Sequence, residues 1–459
     1  MVTRKRYQRQ AATPTGILKR TKEADFEEVS DPRDENRIKH PLDGVLDLGV
    51  LSLTTDARSA RAVEDRSGEL KAEVGEKINL DEPISDNAFS LILRRIDPYD
   101  LRKALRRTVK SEWTDRENLR PAQSFDKSTV AVDGKNLATL HEDRLRSLVT
   151  MHTPLEGREL TVEQLKEVYA THFPEVQLRD DDEAGLIGVV MVHRATLVSS
   201  EAAVVIDQTS IDGSTSEHGT IEQTLGALFD AYRRTDMLER ITVDAGNMTR
   251  GAAAVIQEEG TDYFGALKAS QGTLYERAVG WLGGRDAEEA DQVHIETYNG
   301  KTLIYRVWTM KVAEGSLDWK GARQLVRIRR IAVDNADEEV TAEDRYFVSS
   351  EPCEEFSPLQ AYRVARAHWR CENEGHWTAD AIWEEDARRT PWTTYPTGIV
   401  NVGVLRTIAI NILALLRSMS RLRRGETFVT PGWKKVIEHA MDALLHSALV
   451  TKEFDAFEN

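Results

Sequence analysis

Apolar positions along this chain follow two periods, and the switch between them divides it. In Pro41-Leu-Asp-Gly-Val-Leu-Asp-Leu-Gly-Val-Leu-Ser-Leu53, apolar residues at 42, 45, 46, 50, 51 and 53 predict a helix. Ile84 to Ile96 reads as a second helix, capped by Ser85 or Asp86 and stopped by Asp97-Pro98. Tyr99 to Trp113 reads as a third. From residue 128 short β-rich runs alternate with helical ones. Val130-Ala-Val132 is a buried strand running into Asp133-Gly-Lys, and residues 140–184 look like an inserted, largely helical and charged segment. Strands follow at Gly188–Leu197 and Ala202–Ile206, then an amphipathic helix at Thr220–Tyr232. The strand Arg240–Val243 ends at Asp244, the helix Met248–Glu259 is closed by Gly260, and Asp262–Lys268 is a further strand. Four β-rich runs, His294–Tyr298, Thr302–Met310, Gln324–Val333 and Asp344–Ser349, read as an insertion near 292–350. Helix returns at Pro358–Trp377 and near Val402–Ser420. The succession predicts an α/β fold, a mixed sheet with helices on its faces.

The flanks differ from this body. Residues 1–30 read as a flexible arm, basic then acidic, with no apolar period. Residues 31–118 read as a small helical domain; Arg94, Arg95, Arg102, Arg106 and Arg107 suit either DNA binding or plain solvation of helix backs. Residues 431–459 read as a helical tail.

Composition narrows the function. The 459 residues exceed one typical domain, and 40% hydrophobic with 30% charged residues fits a soluble globular protein. The net charge of −16 argues against a generic nucleic-acid coating protein, because neutralising phosphates needs Lys and Arg. Charge is uneven, however. Residues 1–22 hold seven Lys/Arg and no acid, and Arg417–Lys435 holds six Lys/Arg and one Glu. Either segment suits a partner or a solvated surface. The longest apolar stretch, Ile408–Leu416, is too short to span a bilayer and carries an Asn, so no membrane is expected. No apolar signal-peptide core follows the basic N-terminus. Cys353 and Cys371 are too few for a multi-cysteine zinc site, and free thiols suit a reducing cytoplasm.

Three acidic residues carry the candidate chemistry. Asp133 and Asp244 each end a β-rich run, at the sheet rim where α/β folds collect ligands, and Glu372 lies in a later helix. Two Asp and one Glu so placed suit two divalent cations and phosphodiester chemistry. His368, Glu372 and His376, spaced i, i+4, i+8, share one helical face, with Arg366, Arg370 and Asn373 on a neighbouring one. The His-Glu-x-x-His order of zinc hydrolases is absent. Histidines one turn from a carboxylate suit hydrogen bonds to it or to a DNA phosphate. Lys268 ends a strand, where it suits a phosphate or solvent; Asn247 reads as a helix cap, and Trp369, Trp377 and Trp383 as core.

Together these stretches resemble the DDE transposases of bacterial insertion sequences, specifically the H-repeat-associated (ISAs) group. The resemblance covers most of residues 31–425. Asp31-Pro-Arg-Asp, Lys39-His-Pro-Leu42 and Ile84-Ser-Asp-Asn-Ala-Phe89 are similar to that family's N-terminal associated domain. Val132-Asp-Gly-Lys135 resembles its first-aspartate motif, and Asp244-Ala-Gly-Asn with Gly260-Thr-Asp-Tyr-Phe-Gly-Ala-Leu-Lys268 its second. Arg366-Ala-His-Trp-Arg-Cys-Glu-Asn373, His376-Trp377, Asp380 and Glu385-Asp386 resemble its glutamate motif, the most specific of the three. The resemblance implies a ribonuclease-H-like catalytic domain over 126–430, with Asp133, Asp244 and Glu372 as catalytic residues holding two Mg²⁺ or Mn²⁺. It implies cleavage at element ends carrying terminal inverted repeats, strand transfer into target DNA, and a homo-oligomer in the DNA complex. Lys268, Arg366, His368, Arg370, Asn373 and His376 are then candidate DNA contacts. Where the wider superfamily often has Tyr, Arg and Lys around the glutamate, this chain has Ala365, His368 and Ala379. Two alternatives stand beside this reading: an inactive or domesticated DNA-binding relative, and a metal-dependent nuclease without strand transfer.

Overall fold

The computed structural model describes residues 14–115, 118–155, 160–298, 301–333, 339–386, 392–420, 422–424 and 427–445. The expected arm at 1–13 and the tail beyond 445 lie outside the described residues.

The N-terminal part is helical: α1 (Pro14–Lys22), α2 (Leu42–Thr54), α3 (Ala60–Glu69), α4 (Ala72–Lys77), α5 (Asp86–Leu93) and α6 (Pro98–Asp115). Ser85 caps α5 by accepting the Ala88 N–H, one of the two caps expected. The helix α1 was not expected, since residues 14–22 lack an apolar period. It forms because Ile17 and Leu18 are buried, Arg20 reaches Glu112 at 2.6 Å and Lys22 reaches Asp47 at 2.6 Å. All of these partners lie far away in sequence.

The sheet begins with β1 (Thr129–His141), followed by α7 (Glu142–His152), α8 (Val162–His172), β2 (Val176–Asp181), β3 (Gly185–Leu197) and β4 (Val204–Ser210). Then come α9 (Glu217–Tyr232), β5 (Arg240–Val243), α10 (Arg250–Glu258), β6 (Asp262–Leu267) and α11 (Thr273–Leu282). Gly260, at φ +71°, turns the chain after α10, a conformation that suits a residue without Cβ. Strands β7 (Gln292–Tyr298), β8 (Lys301–Lys311), β9 (Gln324–Val333) and β10 (Glu339–Ser349) form an antiparallel meander. The order across the sheet is β2-β3-β1-β5-β6-β10-β9-β8-β7, with β4 also on β3. Strands β2 and β4 pair with successive halves of β3. Only β1–β5 and β5–β6 are parallel, so the sheet is mixed, as the alternating pattern predicts. The meander extends the sheet by pairing β10 with β6.

The chain continues as α12 (Pro358–Arg370), α13 (Trp377–Trp383), α14 (Pro396–Met419), the short hairpin β11 (Leu422–Arg424) and β12 (Thr427–Val429), and α15 (Trp433–Leu444). The apolar run at 408–416, read as too short to span a bilayer, lies within the 24-residue α14, which by length and composition could cross one. Here α14 is buried inside the protein, against α2, α6 and β4. Its polar residues have protein partners. Asn401 donates to the carbonyls of Leu93 and Ile96, and Asn411 exchanges two hydrogen bonds with the Val205 backbone. These bonds offset the cost of burying amides and fix the helix's depth and rotation.

Candidate active site

The last parallel pair between β1 and β5 is Val132 with Val243. Asp133 and Asp244 are the next residues, so both carboxyls leave the sheet at one rim. Asp133 does not end its strand, contrary to the sequence reading. It is the fifth residue of β1, which continues to His141 because β3 keeps pairing with it, Asp133 opposite Arg194 and Gly134 opposite His193. The rim exists because β5 stops there.

The turn after β5 holds Asp244 from the backbone. Its Oδ2 accepts the Gly246 N–H at 2.8 Å and its Oδ1 the Asn247 N–H at 2.9 Å. The Gln271 amide, donating to the carbonyls of Ala245 and Met248, ties this turn to the segment after β6. Asn247 is fully buried and is not the helix cap expected; Thr249 caps α10 instead, accepting the Ala252 N–H at 2.9 Å. Asn247 donates its side-chain N–H to Glu217 Oε1 at 2.7 Å.

Glu217, the first residue of α9, was not singled out from the sequence. Behind Ser216, which caps the helix, it reads as an ordinary acid in a first turn. Gly134 lets it approach: a Cβ there would lie 2.4 Å from the Glu217 carboxyl carbon. Carboxylate oxygens of Asp133, Glu217 and Asp244 all lie within 4.8 Å of one another. Among the described residues, no Lys or Arg pairs with any of the three; the His376 ring lies 3.6 Å from Asp133. Burial, followed by the charges of Asp244, Glu372 and Glu217, pushes the Asp133 carboxyl up to about 7, against a stabilising Gly134 N–H.

Glu372 does not sit in a regular α-helix. Between α12 and α13 the chain makes a π-helical turn, Cys371–His376, in which the Trp377 N–H bonds the Glu372 carbonyl five residues back. Such turns re-aim side chains, because residues five apart rather than four come into line. Cys371 and His376 accordingly both flank Asp133, with Sγ 3.8 Å and Nδ1 3.6 Å from its Oδ2. His368 and Glu372 instead line a cavity beside Asp244. The single face expected for His368, Glu372 and His376 is therefore split by the π turn. Burial raises the Glu372 carboxyl, Arg345 opposes this and Asp244 adds to it. Burial also keeps both histidines neutral, lowering His368 to about 4 and His376 to about 3.

The cavity, about 350 Å³, is walled by Asp244, Glu372, Lys268, Tyr275, Arg345 and Trp369. Arg345, on β10, stacks 4.2 Å from the Trp369 ring centre. Nothing local in Asp344-Arg-Tyr-Phe347 marks Arg345; only the pairing of β10 with β6 carries it to the glutamate. It supplies a cation on the glutamate side of the site, where position 368 is a neutral histidine.

The other candidates divide. Lys268 is exposed and on the cavity rim. Asn373 is exposed, and Arg366 is largely exposed but paired with Glu296 at 3.1 Å. Arg370 donates to the carbonyls of Val198, Ser200 and Glu201 and pairs with Glu374, so it staples α12 to the β3–β4 loop. His376 is buried. Of the N-terminal arginines, Arg102 and Arg106 are buried on Asp207 and Arg107 holds the carbonyls of Ala24 and Asp25, while Arg95 is exposed and Arg94 half-buried. Trp383 is core as expected and Trp369 half-buried, but Trp377 is 61% exposed. The first and third motifs interlock beneath the site. Lys135 pairs with Asp380, and Arg194, opposite Asp133, pairs with Glu385, which also holds Arg406.

Residues 24–109 match the model of the family described as DDE_Tnp_1-associated. A putative transposase, YncI, of Escherichia coli O157:H7 is 22% identical over 372 residues, 79% of this chain and 80% of its own. The H repeat-associated putative transposase YhhI of Escherichia coli K12 is 30% identical over 240 residues, 48% of this chain and 58% of its own. The chain is a relative of the H-repeat-associated putative transposases. The chain is also 27% identical to putative protein YbfL of Escherichia coli K12, over 61% of this chain and 75% of its own. The family match falls on the helices before β1, and the YncI alignment covers more of the chain than the other two.

Proposed function

We propose that this chain is the DNA transposase of a mobile element, cutting at the element's terminal inverted repeats and joining the freed ends to target DNA. The observation that carries the reading is the meeting of the three motifs. Asp133 and Asp244 are neighbours across one parallel strand pair, and Glu372 faces Asp244 across one cavity. The strand order β4-β3-β1-β5-β6, antiparallel except where β1, β5 and β6 run together, supports a ribonuclease-H-like core. In this reading residues 126–430 form the catalytic domain, 31–118 a helical domain that binds DNA, and the β7–β10 meander an insertion.

The donor set fits hard divalent cations: carboxylate oxygens, crowded at the rim without a protein counter-ion. Asp133, Asp244 and Glu372 would hold Mg²⁺ or Mn²⁺. Bound there, the cations supply Lewis acidity that activates an attacking water or 3′-hydroxyl and stabilises the leaving oxygen. The chain's own groups do the positioning. The N–H groups of Gly134, Gly246 and Asn247 fix the two Asp carboxylates before any ligand arrives. Lys268 and Arg345 place positive charge on the cavity wall, where phosphates beside the scissile bond would lie. Trp369 packs its ring against the Arg345 guanidinium, and both line the cavity. DNA with the element's ends is the expected partner, and two ends held together call for a homo-oligomer.

The test is an end-cleavage assay with DNA flanking this gene, in Mg²⁺ or Mn²⁺. Cut and joined products are expected from the natural chain, and neither from Asp133→Asn, which should still bind DNA. Cutting by Asp133→Asn would sink the assignment. Cut ends without joined products would favour a nuclease.

A further inference from the structure

The carboxylates that crowd together at the rim are Asp133, Asp244 and Glu217, while Glu372 lines the cavity beside Asp244. We infer that Glu217 is a direct ligand of the divalent cations assigned to Asp133, Asp244 and Glu372. The inference rests on that assignment and adds a residue outside the three motifs.

Glu217 comes from α9, on the sheet face where Gly134 and His193 point. Glu372 comes from the opposite face, where Cys371 and His376 flank Asp133. Glu217 lies against Asp133 and Asp244 where β5 stops at Val243, and Glu372 lines the cavity beside Asp244. Of the two, Glu217 is the one whose oxygens lie within 4.8 Å of both Asp carboxylates. A carboxylate kept so close to two others is repelled by both, and no protein cation offsets this.

Two further features aim the site at a ligand. His193, 1% exposed, lies opposite Gly134 with Nδ1 3.0 Å from Thr224 Oγ1, while its Nε2 has no hydrogen-bond partner. Asp244 and His218 are its electrostatic neighbours and Asn247 a side-chain hydrogen-bonding one, and burial lowers it to about 4, so the ring gives the cluster no counter-ion. Asn247, fully buried, bonds Glu217 with its side chain and Asp244 with its backbone N–H, fixing their separation. Only one Glu217 oxygen takes that bond, so the carboxylate keeps acceptor capacity toward the two Asp groups. A merely structural acid would sit among donors. This one is held at a fixed distance among acceptors, which is how ligand oxygens are arranged around a cation.

The test is Mn²⁺ binding to the full chain without DNA, read by the free-Mn²⁺ magnetic-resonance signal and by the shift in melting temperature on adding Mn²⁺. Glu217→Gln keeps an oxygen for the Asn247 bond, and Glu222→Gln, on the exposed side of α9, is the control. The expected result is an affinity at least about tenfold weaker and a smaller melting shift for Glu217→Gln, since even outer partners of metal sites carry that much. Its metal-free melting temperature should be unchanged or higher, because one repelling charge is gone; a structural acid would lower it. If Glu217→Gln binds Mn²⁺ like the natural chain while Asp133→Asn does not, Glu217 is no ligand and the three-carboxylate assignment stands. If Asp133→Asn also binds unchanged, the assignment fails and this inference fails with it.

Discussion

Two buried acidic groupings lie within a few residues of each other in this molecule, and they are built oppositely. Glu385 sits between Arg194 and Arg406 at 2.8 and 2.7 Å and is wholly buried, with its charge answered inside the protein. Asp133, opposite Arg194 in the sheet, points to the rim among Asp244, Glu217 and Glu372, where no Lys or Arg pairs with it. Their proton affinities separate accordingly. Burial would raise Glu385, but the two arginines overcome it and hold it at about 2; burial and like charges push Asp133 up to about 7. A buried carboxylate with its own counter-ions belongs to the scaffold. One that lacks them is held for something that arrives from outside.

Substitutions can break this contrast. The largest expected effect is on chemistry: Asp133→Asn should remove end cleavage while leaving the fold and DNA binding intact, measured by product yield and by gel shift. Retained cleavage would erase the distinction. Next in size, Arg345→Ala should lower cleavage by about 10²-fold, on the scale of losing one electrostatic donor from a reacting centre. An unchanged rate would return Arg345 to a packing role against Trp369.

Glu385→Ala should act on stability instead, costing about 3–5 kcal/mol, because two buried arginines lose their partner. Its pH dependence has a definite sign. A carboxyl held below its ordinary 4.5 stabilises the fold fully above that pH and loses the contribution as pH falls toward 2. The natural chain should therefore lose stability faster than Glu385→Ala between pH 5 and 2 in chemical denaturation. Parallel curves would mean that Arg194 and Arg406 find other partners. The smallest effect separates two neighbours of the glutamate. Arg370→Ala should cost about 1–3 kcal/mol by leaving the Val198 and Ser200 carbonyls unpaired, with DNA affinity unchanged. Trp377→Ala, at an exposed position, should stay within about 0.5 kcal/mol in a thermal melt.

Much of the sheet was legible because its strands are short apolar runs bounded by turn residues, as at Arg240–Val243 and Gln324–Val333. What local pattern could not show is where a strand stops being paired. Asp133 looked terminal because the apolar run ends there, yet β3 carries β1 eight residues further. The spacing of His368, Glu372 and His376 was read with an α-helical period. The π turn changed that period over six residues, and no residue type announces such a turn. The basic look of residues 94–107 shows another limit: sequence counts charges but cannot tell which are already neutralised, as Arg102 and Arg106 are by Asp207 while Arg95 stays exposed.

The sequence by itself determined the α/β class and the places of most strands and helices, and it singled out Asp133, Asp244 and Glu372 as candidate carboxylates. Those are local properties, set by period, turn chemistry and residue type. Only the tertiary structure decided that Glu217 lies within 4.8 Å of Asp133 and Asp244, that Arg345 crosses from a distant strand, and that Arg370 and Arg102 are spent on the scaffold. Each depends on which groups meet across long loops, and so on pairings such as β10 with β6 and α9 over Gly134 that no stretch of sequence encodes alone.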